Sequence, residues 1–287
     1  METTNYQEPV AKLLTYDEPE TDHYEDWLNY PKELGIGPEH IPDLLRMIDD
    51  KELRTTDPDE DDPKYWGPVH AWRTLGQLKD ASVVKPLLDR APDLLDYDTG
   101  WGEWALEELP DVYGLIGKDT IPLLTQYLAD TSYDEDARIN ISTGLQKIAE
   151  IHPEAREECI KALVHQLEAY EENTPEINAF LISRLASLNA KEALSLIESA
   201  FASDNVDESI IDLDYVLIEF GLKERRPRRD LSSLFTPGTS GSGISTRPAA
   251  IATPSEKYFA TPKSSVKMPK KAKQKMAKAS RKKNRRK

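Results

Sequence analysis

Apolar residues at helical spacing, interrupted by frequent prolines, constrain the fold of this chain most strongly. The spacing is clearest in three sets: Val69, Trp72, Leu75 and Leu78; Ile141, Leu145, Ile148 and Ala149; and Phe180, Ile182, Leu185 and Leu188. Residues three and four apart lie on the same face of a helix, so each set predicts one buried helical face. The sequence contains no long alternation of apolar and polar residues, which is the pattern that would predict a β-sheet. The sequence therefore predicts an all-α fold.

The 20 prolines of the chain limit the length of its helices. Seven of them stand where a first helical turn is expected: Pro38, Pro42, Pro68, Pro86, Pro122, Pro153 and Pro175. A proline in the first turn costs little, because the N–H that it lacks would have had no partner within the helix. We therefore expect many short helices instead of a few long ones.

Short motifs recur along the chain at a period that suits pairs of helices. A Pro-Leu-Leu or Pro-Asp-Leu-Leu run begins at Pro42, Pro86 and Pro122, at steps of 44 and 36 residues. Each step has room for two short helices, as in a HEAT-type repeat. One such pair cannot bury its apolar face alone, so neighbouring pairs stack into a continuous core. The pattern predicts a HEAT-like α-solenoid over residues 27–221, preceded by an N-terminal cap segment over residues 1–26. The helical pattern stops at Gly221, which predicts that this glycine caps the C-terminus of the last helix.

The stretch that begins at Trp66 carries a more specific resemblance. Its sequence WGPVHAWRTLGQL, followed by VKPLL and later by EELP, is similar to the HEAT-like repeat named after phycobilisome lyases. Residues 34–221 as a whole resemble a little-characterised group of bacterial HEAT-repeat proteins. The resemblance implies an α-solenoid, and its lyase members imply an alternative function, a bilin lyase or isomerase acting on a client protein. Some members of the group end in a Cys/His zinc motif, but no Cys or His follows residue 221 here.

Charge is divided very unevenly between the two parts of the chain. Residues 1–221 contain 17 Lys and Arg against 49 Asp and Glu, a net charge of −32. Residues 222–287 contain 20 Lys and Arg against 3 Asp and Glu, a net charge of +17. Such a division indicates two binding regions with partners of different chemistry, and it does not indicate a reaction. We expect the acidic solenoid to bind a protein partner.

The basic part divides into a linker, residues 222–265, and a basic arm, residues 266–287. Ser, Thr, Pro and Gly make up 20 of the 36 residues from Leu231 to Val266, so the linker is expected to be disordered. The arm predicts binding to RNA or DNA through counterion release, and its pattern leaves open an acidic protein surface or a passive tail. The candidate nucleic-acid-binding residues are Lys270, Lys271, Lys273, Lys275, Lys278, Arg281, Lys282, Lys283, Arg285, Arg286 and Lys287.

Tryptophans set among acidic residues are candidates for contact with a protein partner. Aromatic side chains supply rigid contact area and often dominate the energy of an interface. Trp72 keeps helical phase with Leu75, so we expect it in the core. The partner-binding candidates are Trp101, Trp104, Glu107 and Glu108.

The sequence predicts no catalytic residue, no metal site and no cofactor site. The acidic run over residues 57–62 lacks the Gly and Glu that a calcium-binding EF-hand loop requires. The five histidines are not spaced as zinc ligands, and His70 is expected to be a partly buried packing residue. Cys159 lies beside an apolar helical stripe, which favours a packing role over nucleophilic chemistry. The expected function is therefore non-enzymatic.

The sequence also bears on the cellular compartment. Cys159 is the only cysteine, so no disulfide within the chain is expected and an oxidising compartment is not implied. The first ten residues, METTNYQEPV, do not resemble a signal peptide. No run of about 18 apolar residues predicts a membrane span. We expect a soluble cytoplasmic protein with no membrane partner.

Overall fold

A computed structural model describes residues 5–21, 23–55, 62–96 and 101–224 of the chain. Within these ranges the regular secondary structure is helical, and no strand occurs there. The prediction of an all-α fold is confirmed for this part of the chain. Contacts divide the chain into two units at residue 240, and every described residue belongs to the first unit.

Twelve α-helices lie in the described ranges, and short 3-10 turns lead into several of them. Their bounds are α1 Tyr30–Leu34, α2 Ile41–Ile48, α3 Lys51–Thr55, α4 Gly67–Leu78, α5 Val84–Leu94, α6 Gly102–Ile116, α7 Ile121–Ala129, α8 Glu135–Ile151, α9 Arg156–Glu168, α10 Pro175–Ser187, α11 Leu194–Ala202 and α12 Leu213–Glu219. No described helix has the length and apolar character that crossing a membrane would require.

The helices pack in two rows, and within each row every helix contacts the next. In row A, α2 packs on α4, α4 on α6, α6 on α8, α8 on α10 and α10 on α12. In row B, α5 packs on α7, α7 on α9 and α9 on α11. Contacts of α8 with both α7 and α9 join the two rows, as do contacts between α9 and α10. Each interior helix therefore has neighbours on both sides, which explains how short helices bury a shared core.

Ten of the twelve residues in the apolar sets predicted from helical spacing are buried in this core. Leu75 and Leu145 are both 0 % exposed. All of residues 67–76 in α4 are buried, including polar ones, because α4 lies between α2, α6 and the chain N-terminal to it. Leu78 and Phe180 depart from the prediction, since both are only half-buried, and Phe180 lies beneath the guanidinium of Arg184.

The prolines occupy the positions that the sequence predicts. All seven fall in the first turn of an α-helix or a 3-10 helix. Pro92 and Pro110 lie inside α5 and α6. Each of these two removes one main-chain hydrogen bond from its helix.

Gly221 ends the last described helix, as predicted. Its φ is +69°, in the left-handed region that glycine adopts without steric cost. The N–H of Leu222 donates to the carbonyl of Leu217 at 2.8 Å, and the N–H of Gly221 donates to the carbonyl of Ile218 at 2.9 Å. These two bonds satisfy carbonyls that a helix end would otherwise leave unpaired.

The described chain that precedes α1, residues 5–21 and 23–29, packs against the helices and is called here the N-terminal segment. Its 3-10 helix Val10–Thr15 contacts the 3-10 helix Pro63–Trp66 and α4, burying Val10 and Leu13. The helix α1 that follows also packs on α4. One face of α4 is thus covered by chain that lies far from it in sequence.

Candidate functional site

Three polar side chains of α4 hold the covering chain in place. His70, Arg73 and Gln77 lie three and four residues apart, so they project from the same face of the helix. Gln77 Nε2 donates to the carbonyl of Leu28 at 2.8 Å, and Gln77 Oε1 accepts from the N–H of Tyr30 at 3.0 Å. The amide of Gln77 therefore fixes the main chain where the N-terminal segment enters α1.

His70 makes two hydrogen bonds that define its neutral tautomer. Its Nε2 lies 3.0 Å from the carbonyl oxygen of Asp17, which can only accept, so Nε2 carries the proton. Its Nδ1 lies 2.6 Å from the hydroxyl of Tyr30, which then donates to it. The side chain is 3 % exposed, and this burial lowers the pKa of His70 to about 4. His70 is thus a buried packing residue, as predicted, and it is neutral at pH 7.

Acid should destabilise the protein partly through His70. The folded-state pKa lies below the ordinary value of 6.5, so stability from this group is complete above pH 6.5 and is lost as the pH falls towards 4. The full loss is about 3 kcal/mol. In the variant His70→Gln, the amide can replace both hydrogen bonds but does not titrate. Between pH 7 and pH 4.5, we expect its free energy of unfolding, measured with urea, to fall by about 2–3 kcal/mol less than that of the wild type. Equal losses in the two proteins would mean that His70 does not titrate in this range.

Arg73 and Glu108 form a buried ion pair between α4 and α6. Arg73 Nε donates to Glu108 Oε2 at 2.8 Å, and Arg73 Nη2 donates to Oε1 at 2.5 Å. Trp72 Nε1 also donates to Oε2 at 2.8 Å. The two charged side chains are 2 % and 0 % exposed. Burial raises the pKa of Glu108, while the hydrogen bonds from Arg73 and Trp72 act in the opposite direction.

The same guanidinium also binds the N-terminal segment. Arg73 Nη2 donates to the carbonyl of Thr21 at 2.6 Å, and its Cζ lies 4.6 Å from the ring centre of Trp27. Arg73 therefore connects α6, α4 and the N-terminal segment at one point. A second ion pair, between Lys147 Nζ and Asp111 Oδ1 at 2.8 Å, continues the charged contacts from α6 to α8.

A cavity of about 300 Å³ lies between the N-terminal segment and α4. Tyr16, Trp27 and Tyr30 line it with aromatic rings, and His70 and Arg73 line it from the helix. Exposed acidic residues of the N-terminal segment form much of the remaining wall. Sequence reasoning missed this site, because its two sides lie about 50 residues apart along the chain.

The structure separates the four partner-binding candidates. Trp101 and Glu108 are each 0 % exposed, which removes both from a surface that a partner can touch. Trp101 packs against the ring of Tyr65 at 5.4 Å, and the carboxylate of Glu108 binds Arg73. Trp104 is half-buried and Glu107 is exposed, so these two remain candidates.

Other predicted features are placed as follows. The eleven basic candidates of residues 270–287, and residues 57–61 of the rejected calcium loop, lie outside the described residues. Cys159 is buried, and burial raises the pKa of its thiol to about 12, which fits the predicted packing role. In the part of the chain that is described, no three His, Cys, Asp or Glu side chains converge as metal ligands would.

Known proteins offer no guide to this site. Comparisons with protein-family models, with curated proteins and with solved structures gave no match for the chain. Inference about its function therefore rests on the geometry and the charges described above.

Proposed function

We propose that this protein is a non-enzymatic interaction scaffold with two binding regions. Its acidic body binds a protein partner, and its basic C-terminal arm binds nucleic acid or a ribonucleoprotein in the cytoplasm. The observation that carries the proposal is the charge division, −32 over residues 1–221 and +17 over residues 222–287. Charge of one sign concentrated on one region raises the association rate of partners with the opposite sign.

The packing of the helices supports a HEAT-like α-solenoid as the body of this scaffold. Contacts between successive helices within row A and within row B are those expected when helical pairs stack. Such stacking gives an extended surface for a partner, and solenoids commonly use that surface for binding. Trp104, half-buried, and Glu107, exposed, lie together on α6 and supply one part of it.

The composition of the arm supports the second binding region. Residues 270–287 contain eleven Lys and Arg residues, no acidic residue and no aromatic residue. Cations without aromatic side chains favour contact with phosphates over stacking on bases. We therefore assign the arm a binding mode with little sequence preference.

Affinity purification of the tagged full-length protein from its native host tests both regions. The matched variant replaces all eleven basic residues of 270–287 with Gln, and each sample is divided for treatment with or without nuclease. We expect nucleic acid and its associated proteins to be lost from the variant and after nuclease. We expect at least one protein partner to remain in both cases, because the acidic body holds it directly.

Two outcomes would contradict the proposal. If no protein partner survives nuclease treatment, the body is not a binding surface and the scaffold interpretation is wrong. If wild type and variant recover the same nucleic acid, the arm is a passive tail.

A further inference from the structure

We infer that the cavity between the N-terminal segment and α4 binds a Lys or Arg side chain of a basic peptide in the protein partner. This inference rests on the proposed function and names the chemistry of the partner at one place on the acidic body. It is carried by four unpaired carboxylates, a neutralised helix face and an aromatic wall that meet at one cavity.

The carboxylates come from the N-terminal segment. Residues 13–31 contain six acidic residues and no Lys or Arg. Among the acidic residues of this stretch that the structure describes, four line the cavity: Asp17, Glu18, Glu20 and Asp26. None of these four forms an ion pair within the described part of the chain. Their charges are therefore available to a cation that enters from outside.

The helix side of the cavity does not cancel this negative charge. Among the described residues that line the cavity, Arg73 is the one cation, and both carboxylate oxygens of Glu108 are bound to it. His70 is neutral at pH 7, since burial lowers its pKa to about 4. The cavity therefore attracts cations and disfavours anions.

The wall of the cavity suits an organic cation. The rings of Tyr16 and Tyr30 meet edge to face at 6.0 Å, and Trp27 already holds the Arg73 guanidinium 4.6 Å from its ring centre. Aromatic rings attract ammonium and guanidinium groups through their negative faces. The four carboxylates do not converge into a group of three metal ligands in the described residues, which favours a larger cation over a metal ion.

Two further features favour a side chain that belongs to a peptide. The cavity, about 300 Å³, is at the lower end of the range of ligand pockets, roughly 300–1,000 Å³, so it suits one side chain. Trp27 is 6 % exposed, and its Nε1 has no hydrogen-bond partner among the described residues. A buried donor without an acceptor is costly, and because Trp27 Nε1 is closed to solvent, a shift of the Trp27 ring on binding would let a peptide carbonyl supply that acceptor.

Fluorescence anisotropy with the full-length protein tests the pocket. The probes are labelled short peptides rich in Lys or in Arg, with a Gln-rich peptide as the neutral control. The site variant carries Asp17→Asn, Glu18→Gln, Glu20→Gln and Asp26→Asn. The control variant carries Glu171→Gln, Glu172→Gln, Glu198→Gln and Glu208→Gln, which are exposed and change the net charge equally. We expect about tenfold weaker binding of basic peptides by the site variant, and less than about twofold by the control.

A second comparison identifies the source of the cation. Trp27→Phe keeps an aromatic ring but removes the indole N–H, so it should weaken peptide binding about threefold. Free cadaverine has no carbonyl, so its affinity should be the same for this variant as for the wild type. We expect that affinity, measured by competition with the labelled peptides, to be weaker than the affinity of the peptides. If cadaverine binds as tightly as the peptides, the ligand is a free amine and the assignment to a peptide is wrong.

The remaining outcomes distinguish failure of the pocket assignment from failure of the proposed function. Equal losses in the site and control variants would indicate general attraction to the acidic body, which overturns the pocket and leaves the scaffold intact. If the wild type binds no basic peptide, the pocket is also overturned. The purification experiment would then still decide whether the body has a protein partner.

Discussion

Replacing Glu108 with Ala is expected to destabilise the protein by about 3–5 kcal/mol, because the substitution leaves Arg73 buried without a counter-ion. The two side chains are 0 % and 2 % exposed, so the guanidinium would lose its counter-ion in a place with little access to water. Trp72 Nε1 loses its acceptor in the same substitution. Urea unfolding followed by far-ultraviolet circular dichroism measures the change in the free energy of unfolding.

Two controls show whether burial of the pair is the cause. The double variant Arg73→Met/Glu108→Leu removes both charges, so it should recover most of the lost stability. Asp89→Ala breaks the ion pair between Asp89 and Lys85, whose side chains are 52 % and 69 % exposed, respectively. This substitution should change the free energy of unfolding little. A double variant as unstable as Glu108→Ala alone would show that packing, and not the unpaired charge, causes the loss.

Leu75→Ala and Leu145→Ala are each expected to cost about 2–5 kcal/mol of stability, because each leaves a cavity in a close-packed core. Both side chains are 0 % exposed. They lie on α4 and α8, which are separated in row A by α6. Both helices pack on α6, so the double variant tests coupling through it: losses that add within about 0.5 kcal/mol would mean that the two sites are independent.

Leu222→Ala provides the matched control, because Leu222 is 57 % exposed and its truncation should leave the melting temperature almost unchanged. Calorimetry of the three single variants compares the same chemical change in two buried places and one exposed place. Wild-type melting of Leu75→Ala or Leu145→Ala would contradict the assignment of the buried faces.

Local features of the fold could be predicted from the sequence, because they depend on neighbours along the chain. The spacing of Leu75 and Leu145 within their apolar sets identified buried helical faces. The prolines marked first turns, since only there does the missing N–H cost little. Gly221 marked a helix end, since the left-handed conformation at that position favours glycine.

The site could not be predicted in the same way, because it depends on contacts between distant segments. Glu108 was assigned to the surface, as most acidic residues are exposed, yet it lies three residues after Ala105 and one before Leu109, both buried. This helical spacing relative to two buried residues was the signal in the sequence that Glu108 is buried. Its pairing with Arg73 required knowing that α4 packs on α6. Nothing in residues 16–30 alone indicated that they cover α4.

The hydrogen bonds that fix the N-terminal segment have a consequence for how recognition can change. His70, Arg73 and Gln77 bind the carbonyls of residues 17, 21 and 28, and a carbonyl is present whatever side chain stands there. The acidic side chains of the segment take no part in these bonds. The segment can therefore exchange its carboxylates for neutral or basic groups while its path across α4 stays the same. Charge preference and fold are thus encoded by separate atoms, and selection can alter the first without disturbing the second.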